Sequence, residues 1–197
     1  MLNIVIFGPP GAGKGTQSQL IIGRYRLTHL STGDILRNEI ANETPLGTEA
    51  KKIIEKGELV SDDIVIGMVK NKIEGSIDGN GFIFDGFPRT TEQAEALDKL
   101  LEEKGTAISA MISLDVEETE LVKRLLKRAE DQGRTDDNID VIKNRIKVYN
   151  EVTSHVCNYY SKKGKYSPVD GTGSIEEIFD RISAVIDGLG KKRSCCG

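Results

Sequence analysis

The sequence predicts an α/β protein: a five-stranded parallel sheet with helices on both faces. Three observations predict it. Short apolar, β-branched runs alternate with helical stretches almost throughout. A Gly-rich turn joins the first apolar run to the first helix. Residues 32 to about 73 break the alternation, reading as helix with no strand, so a small helical lobe is expected between the second and third strands.

Residues 2–7 (LNIVIF) form a short, nearly continuous apolar run, the pattern of a buried strand. A helix follows from near Gly13. Residues 29–31 are a short strand candidate running into Thr32-Gly33-Asp34, a cap-like helix start. Thr44-Pro45 opens another helix with Pro at the favoured first position, and Ser61 is the expected N-cap of the next. Residues 81–86 read as the third strand, with a helix from Thr91. Residues 107–114 are the fourth, followed by an expected capping box of Asp115 with Glu118. After a polar interruption at 130–137, one long helix is expected from about Asn138 to Lys162. Residues 166–169 are the last strand, and Ser174 with Glu177 frames the final helix by the same capping logic. The tail from Gly188 is expected to fray, and 190–197 to be disordered.

The chain has 197 residues, 38% of them hydrophobic and 29% charged, which suits one soluble domain with a real core. A net charge of −4 argues against bulk binding to nucleic acid or an anionic membrane, so an anionic ligand needs locally clustered cations. Cys157, Cys195 and Cys196 match neither a disulfide framework nor a zinc site. With no signal peptide and no apolar stretch of spanning length, the expectation is a cytoplasmic protein.

Gly8-Pro9-Pro10-Gly11-Ala12-Gly13-Lys14-Gly15-Thr16 stands between a predicted strand and a predicted helix, the context of a P-loop. Its glycines let backbone N–H groups turn around a phosphate, and the helix N-terminus adds unpaired donors. Lys14 brings a mobile positive charge, and Thr16 a hydroxyl near the phosphates or the metal. Gly11, Ala12, Gly13, Lys14, Gly15 and Thr16 are therefore candidates for ATP. The hydroxyl residue comes one position later than in the common P-loop pattern; this GKGT spelling resembles the nucleoside monophosphate kinases.

Two further segments sharpen the resemblance: Ser31-Thr32-Gly33-Asp34-Ile35-Leu36-Arg37 and Asp85-Gly86-Phe87-Pro88-Arg89-Thr90-Thr91-Glu92-Gln93. Both stand intact as in the adenylate kinases, which the chain resembles from residue 2 to about 189. The resemblance implies that Arg37 and Arg89 fork onto the AMP phosphate. It puts Thr32 and Gln93 at the adenine, with Gly33, Glu58, Leu59, Val60, Gly86, Phe87 and Pro88 in the same pocket. Asp85 ends a buried strand, where it suits either a turn cap or Mg²⁺ held through water.

Arg124 and Arg128 lie four apart on one predicted helix face, a pattern equally open to a solvated basic face. The resemblance makes Arg124, Arg134 and Arg145 the cations around the transferring group, with Arg134 and Arg145 also reaching AMP and Arg128 lying over ATP. It makes Asp136 and Asp137 a pair that anchors a lid and orients metal-bound water. It also makes 31–60 an AMP-binding lobe and 129–138 a short lid that carries no Cys, so no zinc is expected. Gly173, after the last strand, resembles the loop that receives the ATP adenine. The implied activity is reversible transfer of a phosphoryl group from Mg·ATP to AMP, giving two ADP, by a monomer. A pyrimidine nucleotide kinase and a non-catalytic nucleotide switch are the alternatives; Thr32 and Gln93 oppose the first, and the full set of phosphate-contacting residues opposes the second.

Overall fold

The computed structural model describes residues 1–76, 79–132 and 137–194. The expected Arg134 and Asp136 lie outside the described residues. Five strands form one sheet: β1 (Ile4–Phe7), β2 (Thr28–Ser31), β3 (Phe82–Asp85), β4 (Ala110–Asp115) and β5 (Tyr166–Asp170). Their order is β2-β3-β1-β4-β5 and every pairing is parallel. β1 sits at the centre, with Ile4 opposite Ile83 on one side and Ala110 on the other.

Alternate β1 side chains enter different cores, as the two-residue period of a strand requires. Val5 and Phe7 pack with Phe84, Met111 and Leu97 on one face; Ile4 and Ile6 pack with Ile83, Ile112 and Ile182 on the other. The first core is covered by α4 (Asp62–Glu74), α5 (Thr91–Glu103) and α8 (His155–Lys162). The second is covered by α1 (Lys14–Tyr25) and α9 (Ile175–Ser194). α2 (Thr32–Ala41) and α3 (Pro45–Ile54) form the lobe between β2 and β3. They cross so closely that a Cβ on Gly47 would lie 2.1 Å from the Glu39 carbonyl oxygen. α6 (Glu118–Gln132) and α7 (Ile139–Val148) follow β4. β1 connects onward to one side of the sheet and β4 to the other, which leaves a crevice at the carboxyl ends of the strands.

Several local expectations differ from the structure. The long helix 138–162 is interrupted by a π-helical turn, Tyr149–Thr153, in which the Ser154 N–H donates to the Tyr149 carbonyl at 2.8 Å. The extra residue re-phases the helix, so that Tyr149 and Thr153 face the crevice while Val156 and Tyr160 enter the core. Asp115 does not cap α6: β4 runs on through it, opposite Asp170, and the helix starts at Glu118. Ser61 stands at the N-cap of α4 but its hydroxyl accepts no cap bond. By contrast, Ser174 and Glu177 form a reciprocal box, with N–H to Oε2 at 2.8 Å and N–H to Oγ at 3.2 Å. α9 continues through Ser194 across the segment expected to fray, and Leu189 packs on the second core. Asn3, counted in the first apolar run, is fully buried; its amide donates to Ala107 and Thr106 and accepts from the Phe82 N–H, joining the starts of three strands. Among the described residues no helix is long and apolar enough to cross a membrane.

Candidate active site

The crevice is a cavity of about 680 Å³, within the range of small-molecule sites. One wall is the loop between β1 and α1. Gly13 takes φ 93° at the N-cap of α1, a conformation that costs a side-chain-bearing residue energy but leaves the helix N–H groups open. Gly11, Gly13, Lys14, Gly15 and Thr16 line the cavity; Ala12 is wholly buried behind them. The opposite wall comes from the lobe and the β3–α5 loop: Thr32, Gly33, Arg37, Glu58, Leu59, Val60, Gly86, Phe87, Pro88, Arg89 and Gln93. Asp85 lies on the floor, and Arg124, Arg128 and Arg145 enter from α6 and α7. Gly173 does not line this cavity, although Arg124 Nη1 donates to the neighbouring Gly171 carbonyl at 3.2 Å.

Local hydrogen bonds set the cations. Lys14 Nζ donates to the Gly8 and Pro9 carbonyls at 2.8 and 2.9 Å, folding back across its own loop. Arg89 Nε donates to the Gly86 carbonyl at 2.8 Å, and the Thr32 hydroxyl donates to the same oxygen at 2.9 Å. Four other guanidiniums meet carboxylates. Arg37 pairs with Asp34, and Arg124 donates to Glu120 at 2.8 Å. Asp137, its side chain wholly buried, accepts two bonds from Arg128 at 2.6 and 2.8 Å and one from Arg145 at 2.9 Å.

Lys14 and Arg89 differ from these four. Each opens onto the cavity and is partly buried, and among the described residues neither has an ion pair with a carboxylate. Desolvation is the largest influence on both. It pulls the Lys14 pKa down to about 8, against the attraction of Asp85 and with repulsion from Arg89, Arg145 and Arg128. The Arg89 pKa is pulled down to about 10 by desolvation and then by Arg145, again against Asp85. Desolvated cations that repel one another make a site which an anion relieves. The same mutual influence places Lys14, Arg89, Arg128 and Arg145 around one region.

Sequence reasoning missed some of the lining. Tyr149 and Thr153 reach the cavity through the π turn, and the Tyr149 ring meets that of Phe7 at a tilt of 43° with centroids 5.7 Å apart. No local pattern signals that turn. His29 also lines the cavity, with Nε2 3.9 Å from Asp85 Oδ2. Its place on β2, two residues before the residue paired with Asp85, was the available signal.

An anion cradle at a helix N-terminus, faced across one cleft by a second group of guanidiniums, defines a P-loop phosphotransferase of the nucleotide kinase class. A family model described as Adenylate kinase matches residues 6–165. The chain is 52% identical to an adenylate kinase of Parabacteroides distasonis over 189 residues, 96% of this chain and 100% of that protein. It is 50% identical to one of Bacteroides fragilis over the same shares, and 47% identical to one of Methylorubrum extorquens over 95% of this chain and 97% of that protein. The chain belongs to the adenylate kinase family.

Proposed function

We propose that this enzyme transfers the terminal phosphoryl group of ATP to AMP, reversibly, by direct in-line displacement between two nucleotides held in one cavity. The observation that supports this most is the pair of desolvated cations, Lys14 and Arg89, both lining the cavity and lacking a carboxylate partner among the described residues. An AMP phosphate oxygen attacks the γ-phosphorus. The bond from that phosphorus to the β–γ bridging oxygen breaks, and its electrons leave on what becomes ADP. No protein nucleophile is required; alignment, exclusion of water and charge stabilisation carry the rate.

In this reading the loop N–H groups and Lys14 hold the ATP phosphates, Thr16 lies beside them, and Arg128 lies over ATP. Arg37 and Arg89 hold the AMP phosphate, while Thr32 and Gln93 face the adenine. Arg124 and Arg145, with Arg134, gather on the transferring group, which requires that Arg124 and Arg145 exchange carboxylate bonds for phosphate. Gly173 receives the ATP adenine only if closure brings its loop inward. Asp85 fits Mg²⁺ held through water: its carboxylate lines the cavity beside the loop, Oδ2 lying 3.9 Å from where a Cβ on Gly15 would stand, and Mg²⁺ keeps several waters and takes phosphate oxygens. Mg²⁺ held there would neutralise phosphate charge. Asp137, with Asp136, belongs to the same reading as a lid anchor, and its bonds to Arg128 and Arg145 support that role. The lobe at 31–60 and the lid at 129–138 close over the substrates, excluding water from the cleft. The reading extends to a monomer in the cytoplasm, and the free thiol of Cys157 suits that compartment.

The test is coupled detection of ADP with ATP and AMP, CMP or UMP as acceptor; AMP should give by far the highest kcat/KM. Equal or faster turnover of UMP or CMP would transfer the reading to pyrimidine nucleotides, and no ADP would reject it. A pH profile checks the loop. Nucleotide phosphate favours protonated Lys14, whose pKa in the free enzyme is about 8. Above that pH the free enzyme must take up a proton to bind, so kcat/KM for ATP should bend downwards around pH 8 and, about a unit above it, fall by up to about tenfold per pH unit.

A further inference from the structure

Gln93 is buried, with 1% of its surface exposed, and it lines the cavity, but its amide does not stand alone. Oε1 accepts from the Arg89 N–H at 2.7 Å, and Nε2 donates to Asp62 Oδ1 at 2.7 Å. The other Asp62 oxygen accepts from the Thr90 hydroxyl at 2.8 Å, and that hydroxyl accepts from the Gln93 N–H at 3.1 Å. Asp62 opens α4, beyond the lobe, and does not line the cavity.

An ionised carboxylate only accepts and a backbone N–H only donates. The Gln93 amide can therefore adopt one orientation: nitrogen towards Asp62, oxygen towards Arg89. One N–H and one lone pair are left over, in a fixed arrangement. A 6-aminopurine offers an acceptor at N1 beside a donor at N6, which one orientation of an amide matches. A 6-oxopurine offers a donor at N1 beside an acceptor at O6, which requires the amide reversed. A site built on fixed, buried polar groups rejects the mismatched partner, because donors then meet donors.

We propose that Asp62 is a positioning residue that sets the purine selectivity of the acceptor site, by locking the Gln93 amide in the orientation that pairs with a 6-aminopurine. This rests on the reading that Gln93 faces the acceptor base. In Asp62→Asn the Thr90 hydroxyl still needs an acceptor, so the new amide turns its oxygen to Thr90 and its NH₂ to Gln93. Two donors then face each other, and Gln93 is driven towards the reversed orientation, opposed now only by the Arg89 N–H.

The experiment measures kcat/KM for AMP and for inosine monophosphate in the parent, Asp62→Asn, Asp62→Glu and Gln93→Leu. The ratio of the two is internal to each variant, so loss of folded protein cancels. In Asp62→Asn the preference for AMP should drop by at least about tenfold, the scale of one hydrogen bond to a charged group. KM for ATP should stay at the parent value. Asp62→Glu restores an acceptor-only carboxylate and should recover most of the preference, whereas a merely structural contact would show no such split between Asn and Glu. Gln93→Leu should raise KM for AMP without raising that for ATP. If it does not, the base-facing reading of Gln93 fails and the proposal fails with it. If it does, but Asp62→Asn keeps the parent's preference for AMP, the role of Asp62 alone is overturned.

Discussion

Lys14→Met should lower kcat by about 10³-fold, the loss typical of deleting one preorganised charge at a transition state. The Lys14 ammonium is held by two carbonyls of its own loop, 2.8 and 2.9 Å away, on the side of the cavity where the phosphates of ATP are proposed to lie. Its pKa is depressed to about 8, so at neutral pH the fold carries a charge it holds poorly. Negative charge gathering on the phosphoryl oxygens is what that ammonium lacks. The consequence for stability has a definite sign. A lysine with a depressed folded-state pKa weakens the fold at every pH below the folded value, and the penalty is relieved as pH rises from about 8 to 10.5, because there the unfolded chain binds the extra proton. Lys14→Met should therefore match or exceed the parent in thermal midpoint at pH 7, with the margin shrinking between pH 8 and 10.5. Single-turnover rates and melting curves across that range check both halves.

Arg89→Ala should cost about 4 kcal/mol in kcat/KM, roughly 10³-fold, an effect on the scale of a transition-state arginine. The side chain is aimed by one bond to the Gly86 carbonyl, and the same carbonyl holds Thr32, so loop and lobe share a single anchor. Because Arg89 is proposed to hold the acceptor phosphate in the ground state and more strongly in the transition state, KM for AMP should rise while kcat falls. KM for ATP should move little. Arg89→Lys should recover only a small part, since an ammonium cannot fork onto two phosphate oxygens. Steady-state kinetics with each nucleotide varied in turn separate these terms, and an unchanged turnover in Arg89→Ala would remove the residue from the mechanism.

Residues that act through their immediate neighbours in the chain are legible in the amino-acid sequence itself. The glycine spacing around Lys14 encodes its own conformation, and Thr91-Glu92-Gln93 marks a helix start that the fold realises, with Thr90 as its N-cap. The parallel sheet is legible because β1 and β3 are apolar on both faces, which only helices on both sides satisfy. Features set by tertiary register are not. The Asp115–Glu118 capping pattern is a good local signal, but pairing of Asp115 with Asp170 extends β4 through it. The π turn at Tyr149 depends on which side chains must face the cavity and which the core. The hold of Asp137 on two arginines from different helices, and that of Asp62 on Gln93, join residues with no fixed spacing in the chain. A one-dimensional pattern carries no trace of such contacts.

Binding of a dinucleotide with two adenosines joined through a polyphosphate tests the central claim most directly. Titration calorimetry should give one molecule per chain, and the bound dinucleotide should abolish binding of both ATP and AMP. Two molecules per chain, or an AMP affinity left untouched by saturating dinucleotide, would contradict a single cavity in which Lys14 and Arg89 serve one shared reaction centre.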